Sequence, residues 1–141
     1  MRYMGVDLGT KRIGIALSDP MGMIASPFAV IGRKGGKADL QEVVAIAQDY
    51  DVEMIVVGIP VDLKGQQGVA AQHVSGEIEQ LRSLASVPVE TYDERLTSAA
   101  AQRALRSGGL DSRGQRGVVD KVAAAMLLQS YLEQHRQHDA S

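Results

Sequence analysis

Tyr3-Met4-Gly5-Val6-Asp7-Leu8-Gly9-Thr10-Lys11-Arg12-Ile13-Gly14-Ile15-Ala16-Leu17-Ser18 is the stretch on which the fold turns. Tyr3 to Leu8 is an apolar run with a single acid near its end, and it reads as a short strand. Gly9-Thr10-Lys11 supplies the turn chemistry that stops it. Ile13, Ile15 and Leu17 then alternate with Gly14, Ala16 and Ser18. That period of two predicts a second strand with one face well buried. Pro20, Gly22 and Pro27 bracket a further turn, and Phe28 to Ile31 reads as a third strand. Three strands joined by short turns form an antiparallel meander.

The character changes at Gly32-Arg33-Lys34-Gly35-Gly36-Lys37, a basic and flexible loop. Leu40, Val43, Val44 and Ala47 follow at helical spacing, and Met54 to Val57 is a continuous apolar run of the kind a buried strand shows. Gly58 to Gly68 reads as a long loop. Val74, Ile78, Leu81 and Ala85 mark a second helix, and Val87 to Tyr92 a last strand with Pro88 near its start. Two more helices are expected over Thr97–Arg106 and Val118–Glu133, the first ended by Gly108-Gly109. The order βββ-α-β-α-β-α-α implies an α/β fold with a mixed five-stranded sheet covered by helices. No repeat or linker interrupts it. One domain over residues 1–134 is expected, with a polar tail over 135–141 that frays.

The chain has 141 residues, enough for one domain, and a chain of that length buries about two-thirds of its unfolded surface. Cysteine is absent, which excludes disulfides, zinc thiolates and cysteine nucleophiles. With no Trp and one Phe the core must be aliphatic, and stacking on single-stranded bases is limited. A net charge of -2 argues against a broadly basic nucleic-acid binder but leaves room for a local basic patch. No segment approaches a membrane span and the N-terminus reads as a strand, so a cytoplasmic protein is expected.

Three acidic positions stand out. Asp7 precedes a Gly turn at the end of a strand, where a carboxylate reaches over the sheet edge toward a metal. Asp93-Glu94-Arg95 ends the last strand, on the side where α/β sheets gather ligands. Asp120 heads a helical face made of Ala123, Ala124, Leu127, Leu128 and Tyr131. A charge at the edge of a core needs a cation or a metal as partner. Each acid also has an ordinary structural reading. Asp7 caps a turn, Asp93 to Arg95 is a solvated cluster before an N-cap at Thr97, and Asp120 answers the helix macrodipole. Together they are hard oxygen ligands without His or Cys, a set that suits Mg²⁺ or Mn²⁺. Paired divalent ions activate water and stabilise the leaving oxygen in phosphodiester cleavage.

The cations are uneven. Arg103, Arg106, Arg113 and Arg116 stand against Asp111 alone, Arg33, Lys34 and Lys37 share one loop, and Lys11 and Arg12 flank Asp7. Such asymmetry would lay a phosphate backbone across the acids, although any single Arg also reads as ordinary helix surface.

These residues are similar to those of the bacterial YqgF/RuvX family, Holliday-junction-resolvase-like proteins regarded as pre-16S rRNA processing nucleases. Gly5-Val6-Asp7-Leu8-Gly9-Thr10-Lys11-Arg12-Ile13-Gly14-Ile15-Ala16 resembles its opening motif. Val57-Gly58-Ile59-Pro60, Asp93-Glu94-Arg95-Leu96-Thr97-Ser98 and Val118 to Ala125 with Leu128 to Leu132 follow in the family's order. The resemblance spans essentially the whole chain. It implies a ribonuclease-H-like fold, βββαβαβα, and assigns acidic, metal-binding and catalytic roles to Asp7, Glu94 and Asp120. It selects Glu94 over Asp93, which strand alternation leaves open. It also implies that Arg95 orders the site or meets phosphate, beside Lys11, Arg12, Arg113 and Arg116 on nucleic acid. Two departures stand out. Asp62 and Lys64 replace an Asn and an acid often found there, and Gly58-Ile59-Pro60 stands where the junction resolvases place an acid.

The leading expectation is a nuclease dependent on Mg²⁺ or Mn²⁺, processing the 5′ end of precursor 16S rRNA. Its alternatives are a resolvase of branched DNA and a non-catalytic nucleic-acid-binding module. An actin-like ATPase lobe shares the Asp7-Leu8-Gly9-Thr10 pattern, but such enzymes close two lobes on nucleotide and this length supplies one. A monomer or a homodimer is open, the dimer suiting a four-way junction.

Overall fold

A computed structural model of the chain describes residues 1–9, 11–59, 69–93 and 113–139. Five strands form one mixed sheet: β1 (Tyr3–Leu8), β2 (Arg12–Ser18), β3 (Ala25–Gly32), β4 (Met54–Ile59) and β5 (Val89–Asp93). Their spatial order is β3-β2-β1-β4-β5. β1 pairs antiparallel with β2, and β2 with β3, as the short turns require. β4 adds parallel to β1, and β5 parallel to β4. The helices among the described residues are α1 (Lys37–Asp49), α2 (Val69–Leu84) and α3 (Arg113–Asp139).

The pleat divides the sheet between two cores. Met4, Val6 and Leu8 of β1, Ile13 and Ile15 of β2, and Ile55 and Val57 of β4 face α1 and α2, whose Leu40, Val43, Ile78 and Leu81 close over them. The opposite face carries Ala16 and Val56 beneath Ala124, Leu128, Tyr131 and Leu132 of α3. The core under α1 and α2 is aliphatic, the α3 face adds Tyr131 packed between Tyr3 and Tyr92, and the one Phe, Phe28, is left partly exposed against Tyr50. A side chain such as Ile15 or Leu128, fully removed from water, contributes about 1.5–3 kcal/mol.

Element ends depart from the sequence reading for local reasons. β3 starts at Ala25, and a register shift between Ile15 and Ala16 lets Pro27 sit in this edge strand. β5 begins at Val89 because Pro88 has no donor, while its carbonyl still accepts the Ile55 N–H at 3.0 Å. Gly58 and Ile59, read as loop, belong to β4 and pair with Tyr92 and Asp93. α3 starts before Val118 and runs on past His135 to Asp139. The His135 ring stacks on Tyr131 at 4.3 Å and its Nε2 lies 3.1 Å from the Tyr131 hydroxyl, which extends the packed part of the helix. The helix expected over Thr97–Arg106 and the loop over 60–68 lie outside the described residues.

Candidate active site

Asp7 is buried, at 5% exposure, one residue before the end of β1. Strand alternation places it on the face of Gly5, under α3. Its partner across the antiparallel ladder is Gly14 of β2. A Cβ built on Gly14 would stand 2.1 Å from the Asp120 carbonyl oxygen and 3.1 Å from the Lys121 nitrogen. No side chain of any kind fits that gap, so the missing Cβ is what lets α3 descend beside Asp7.

The contact repeats along the helix. A Cβ at Gly5 would meet Ala124 O and Leu128 Cβ, both at 2.8 Å, and one at Gly58 would meet Leu127 Cδ2 at 3.1 Å. Gly5, Gly14 and Gly58 thus form a slot in the sheet, and α3 fills it with the stripe that starts at Asp120. Every member of that stripe, Ala123, Ala124, Leu127, Leu128 and Tyr131, is buried. Asp120 itself is 3% exposed. Two carboxylates far apart in sequence are therefore buried on either side of one glycine.

Asp120 has the cation that its burial calls for. Arg12 Nε donates to its Oδ2 at 2.9 Å, and the Arg12 side chain stays 26% exposed. The guanidinium therefore keeps an edge toward solvent while it neutralises the acid. Lys11, in the turn before β2, is exposed.

Asp93 ends β5. Glu90 reaches Tyr131 and Tyr92 joins the α3 cluster, so Asp93 falls in register with Val89 on the opposite face, toward α1 and α2. Asp93 thus lies on the other side of the sheet from Asp7 and Asp120. Burial first, and the Asp93 charge second, push the Tyr92 hydroxyl above its ordinary range. It is a protonated donor at neutral pH, buried without a hydrogen-bond partner among the described residues. Glu94 and Arg95 lie outside the described residues, as do the side chains of Arg113 and Arg116 on the first turns of α3.

The donor set fits a hard divalent cation. Asp7 and Asp120 offer carboxylate oxygen only, and Mg²⁺ is commonly held by one or two carboxylates with water and phosphate completing the shell. Among the described residues no three His, Cys, Asp or Glu side chains gather as a complete metal site. The glycine slot and the Arg12–Asp120 pair carry no signature in motif spacing or periodicity. Glycine inside strands was the available signal, since it marks close approach of another backbone.

Residues 1–134 match the family described as "RuvX: Holliday junction resolvase". A protein of Desulforudis audaxviator named "Putative pre-16S rRNA nuclease" is 43% identical over 136 residues, 96% of each chain. One of Syntrophomonas wolfei with the same name is 41% identical over 133 residues, 94% of each chain. Among solved structures, Thermus thermophilus RuvC in complex with a Holliday junction substrate aligns with a TM-score of 0.61 at 18% identity, covering 96% of both chains. The fowlpox virus resolvase in complex with junction DNA aligns with a TM-score of 0.56 at 14% identity, over 96% of this chain and 99% of that one. At such identities the likeness concerns the fold, which is ribonuclease-H-like. Among the described residues no helix is long and apolar enough to cross a membrane. With the match running from residue 1 to residue 134 and relatives above 40% identity over nearly their full length, this chain belongs to the RuvX family.

Proposed function

We propose that the protein is a divalent-metal-dependent nuclease that processes the 5′ end of precursor 16S rRNA in the cytoplasm, with residues 1–134 as the catalytic unit. The observation that carries this reading is the burial of Asp7 and Asp120 on either side of Gly14. Arg12 answers part of the Asp120 charge, and two oxygen-only acids brought to one glycine beside the end of β1 are a donor set that suits a shared divalent cation. The names borne by relatives above 40% identity point to the same activity.

Asp7, Glu94 and Asp120 would hold Mg²⁺ or Mn²⁺. The position of Asp93 on the other face of the sheet favours Glu94 as the third acid. When bound, the ion supplies an activated water and stabilises the leaving oxygen of the phosphodiester. The chain itself holds the carboxylates in place and keeps apolar walls around them. Arg12 neutralises Asp120 and turns its exposed edge toward arriving phosphate. Lys11, Arg95, Arg113 and Arg116 contact the nucleic-acid backbone, a role that fixes register without reading bases.

The test is incubation with Mn²⁺ and either an RNA carrying the 16S precursor leader or a four-way DNA junction. Cleavage of the RNA is expected. Cleavage of the junction alone would make the protein a resolvase, as the family's description reads. Binding without cleavage of either would make it a binding module.

A further inference from the structure

Arg33 lies just beyond β3, and its backbone N–H donates to Lys11 O at 3.0 Å, one step past the Arg12 and Gly32 pair. Its side chain turns back toward the sheet. Nε donates to the carbonyl of Gly9 at 2.7 Å. The two terminal nitrogens grip both oxygens of Glu77 on α2, at 2.5 and 3.0 Å. The two side chains are only 16% and 13% exposed. This is a fork-to-fork pair largely shielded from water, unlike the mobile ion pairs of a surface.

What the pair holds is the turn between β1 and β2. Gly9 is fixed from both sides, because its own N–H donates to Arg12 O at 2.9 Å while its carbonyl is held by Arg33. A Cβ on Gly9 would stand 2.6 Å from Arg12 O, so the turn closes tightly onto Arg12. Asp7 enters this turn and Arg12 leaves it, and Arg12 carries Asp120. Contacts thus run from Glu77 through Arg33 and Gly9 to Arg12 and Asp120. They join α2, on one face of the sheet, to the acids on the other.

We propose that Arg33 and Glu77 are positioning residues that fix the Gly9 turn, and so set Asp7 and Arg12 against Asp120 for the reaction. The inference rests on the nuclease reading. Neither side chain touches the acids or reaches the substrate itself, so their loss should lower the rate of cleavage more than it weakens substrate binding. A misplacement of reacting groups by a fraction of an ångström to an ångström costs about tenfold to a hundredfold in rate.

The experiment compares wild type, Arg33→Gln and Glu77→Gln by steady-state cleavage of the precursor-leader RNA and by amide NMR spectra without substrate. The expected result for Arg33→Gln is a kcat lower by about tenfold or more with KM within about twofold. Glu77→Gln keeps an acceptor for Arg33, so its loss should be smaller. The amides of Gly9, Lys11, Arg12 and Gly14 should shift in both variants, while those of Ala124 to Tyr131 stay in place. An unchanged kcat in folded Arg33→Gln would overturn the proposal. So would a raised KM with kcat preserved, which would mean that the pair serves binding of the nucleic-acid backbone and not the placing of the acids. If Arg33→Gln fails to fold, Glu77→Gln decides by the same two readouts. Wild-type protein that cleaves nothing would sink the nuclease reading and any catalytic role for the pair, whereas cleavage by wild type with unmoved turn amides would sink the proposal alone.

Discussion

Gly14 and Asp120 meet backbone to backbone, with 2.1 Å between the Asp120 carbonyl oxygen and the point where a Gly14 Cβ would stand. Gly14 is also the ladder partner of Asp7. One position without a side chain therefore sets the spacing of two buried acids. The glycine slot of the sheet and the apolar stripe of α3 are two halves of one arrangement.

Gly14→Ala should lift the start of α3 away from Asp7. Overpacking of this kind costs about 1–3 kcal/mol, occasionally more, because neither backbone has another place to go. Urea unfolding should show that loss together with a greater fall in turnover than stability alone explains. A variant as stable and active as wild type would mean that α3 adjusts freely there.

Asp120→Asn should fold. The amide oxygen can still accept from Arg12, whose side chain is one-quarter exposed and able to rehydrate. Stability should stay within roughly 1 kcal/mol of wild type. The rise in melting temperature that Mn²⁺ gives the wild type should vanish. An unfolded Asp120→Asn protein would make the acid structural.

Much of this was legible in the sequence. The stripe from Asp120 to Tyr131 follows from helical spacing alone, and every member is buried. The alternation of Ile13, Ile15 and Leu17 fixed one face of β2. The other face, with Gly14 and Ala16, gave no strong hydrophobic signal, because Gly14 accepts the α3 backbone and Ala16 is kept small beneath the side chains of α3. Arg12 and Asp120 are 108 residues apart, and Arg33 and Glu77 are 44 apart. No periodicity connects such pairs. They exist only once the sheet order is known.

Acid should loosen the loop ahead of α1. The Lys34 N–H, chiefly, then the Gly35 N–H and the Arg33 and Lys34 charges, hold the Asp39 carboxyl below its ordinary 3.8, against the opposing effect of burial. A lowered carboxyl stabilises the fold fully above pH 3.8, and that contribution is lost as pH falls below it. The stability difference between wild type and Asp39→Asn should thus be constant at neutral pH and shrink below 3.8. Melting curves of both proteins across the acid range would show it, and a difference that grows with acid would contradict it.

Tyr131 stands 11 residues beyond Asp120 on α3, about 16 Å away at the rise of a helix. Its hydroxyl meets Glu90, Met54 and His135. Burial first, then the hydrogen bond and charge of Glu90, push it well above its usual 10.0. A raised hydroxyl keeps its stabilisation below pH 10.0 and loses it as pH climbs above, where the unfolded chain ionises first. Tyr131→Phe should cost about 1–3 kcal/mol at neutral pH, narrow that alkaline decline and leave turnover unchanged. Lost turnover at full stability would place Tyr131 in the reaction.

Cleavage of the precursor-leader RNA across a Mn²⁺ titration, with wild-type and Asp7→Asn proteins side by side, tests directly whether the buried acids hold a catalytic metal. Wild-type cleavage should rise with the metal and disappear with chelator. Asp7→Asn should lose more than the roughly 10–100-fold that an outer partner of a metal site costs. Cleavage that survives Asp7→Asn, or that ignores the metal, would contradict a catalytic metal at those acids.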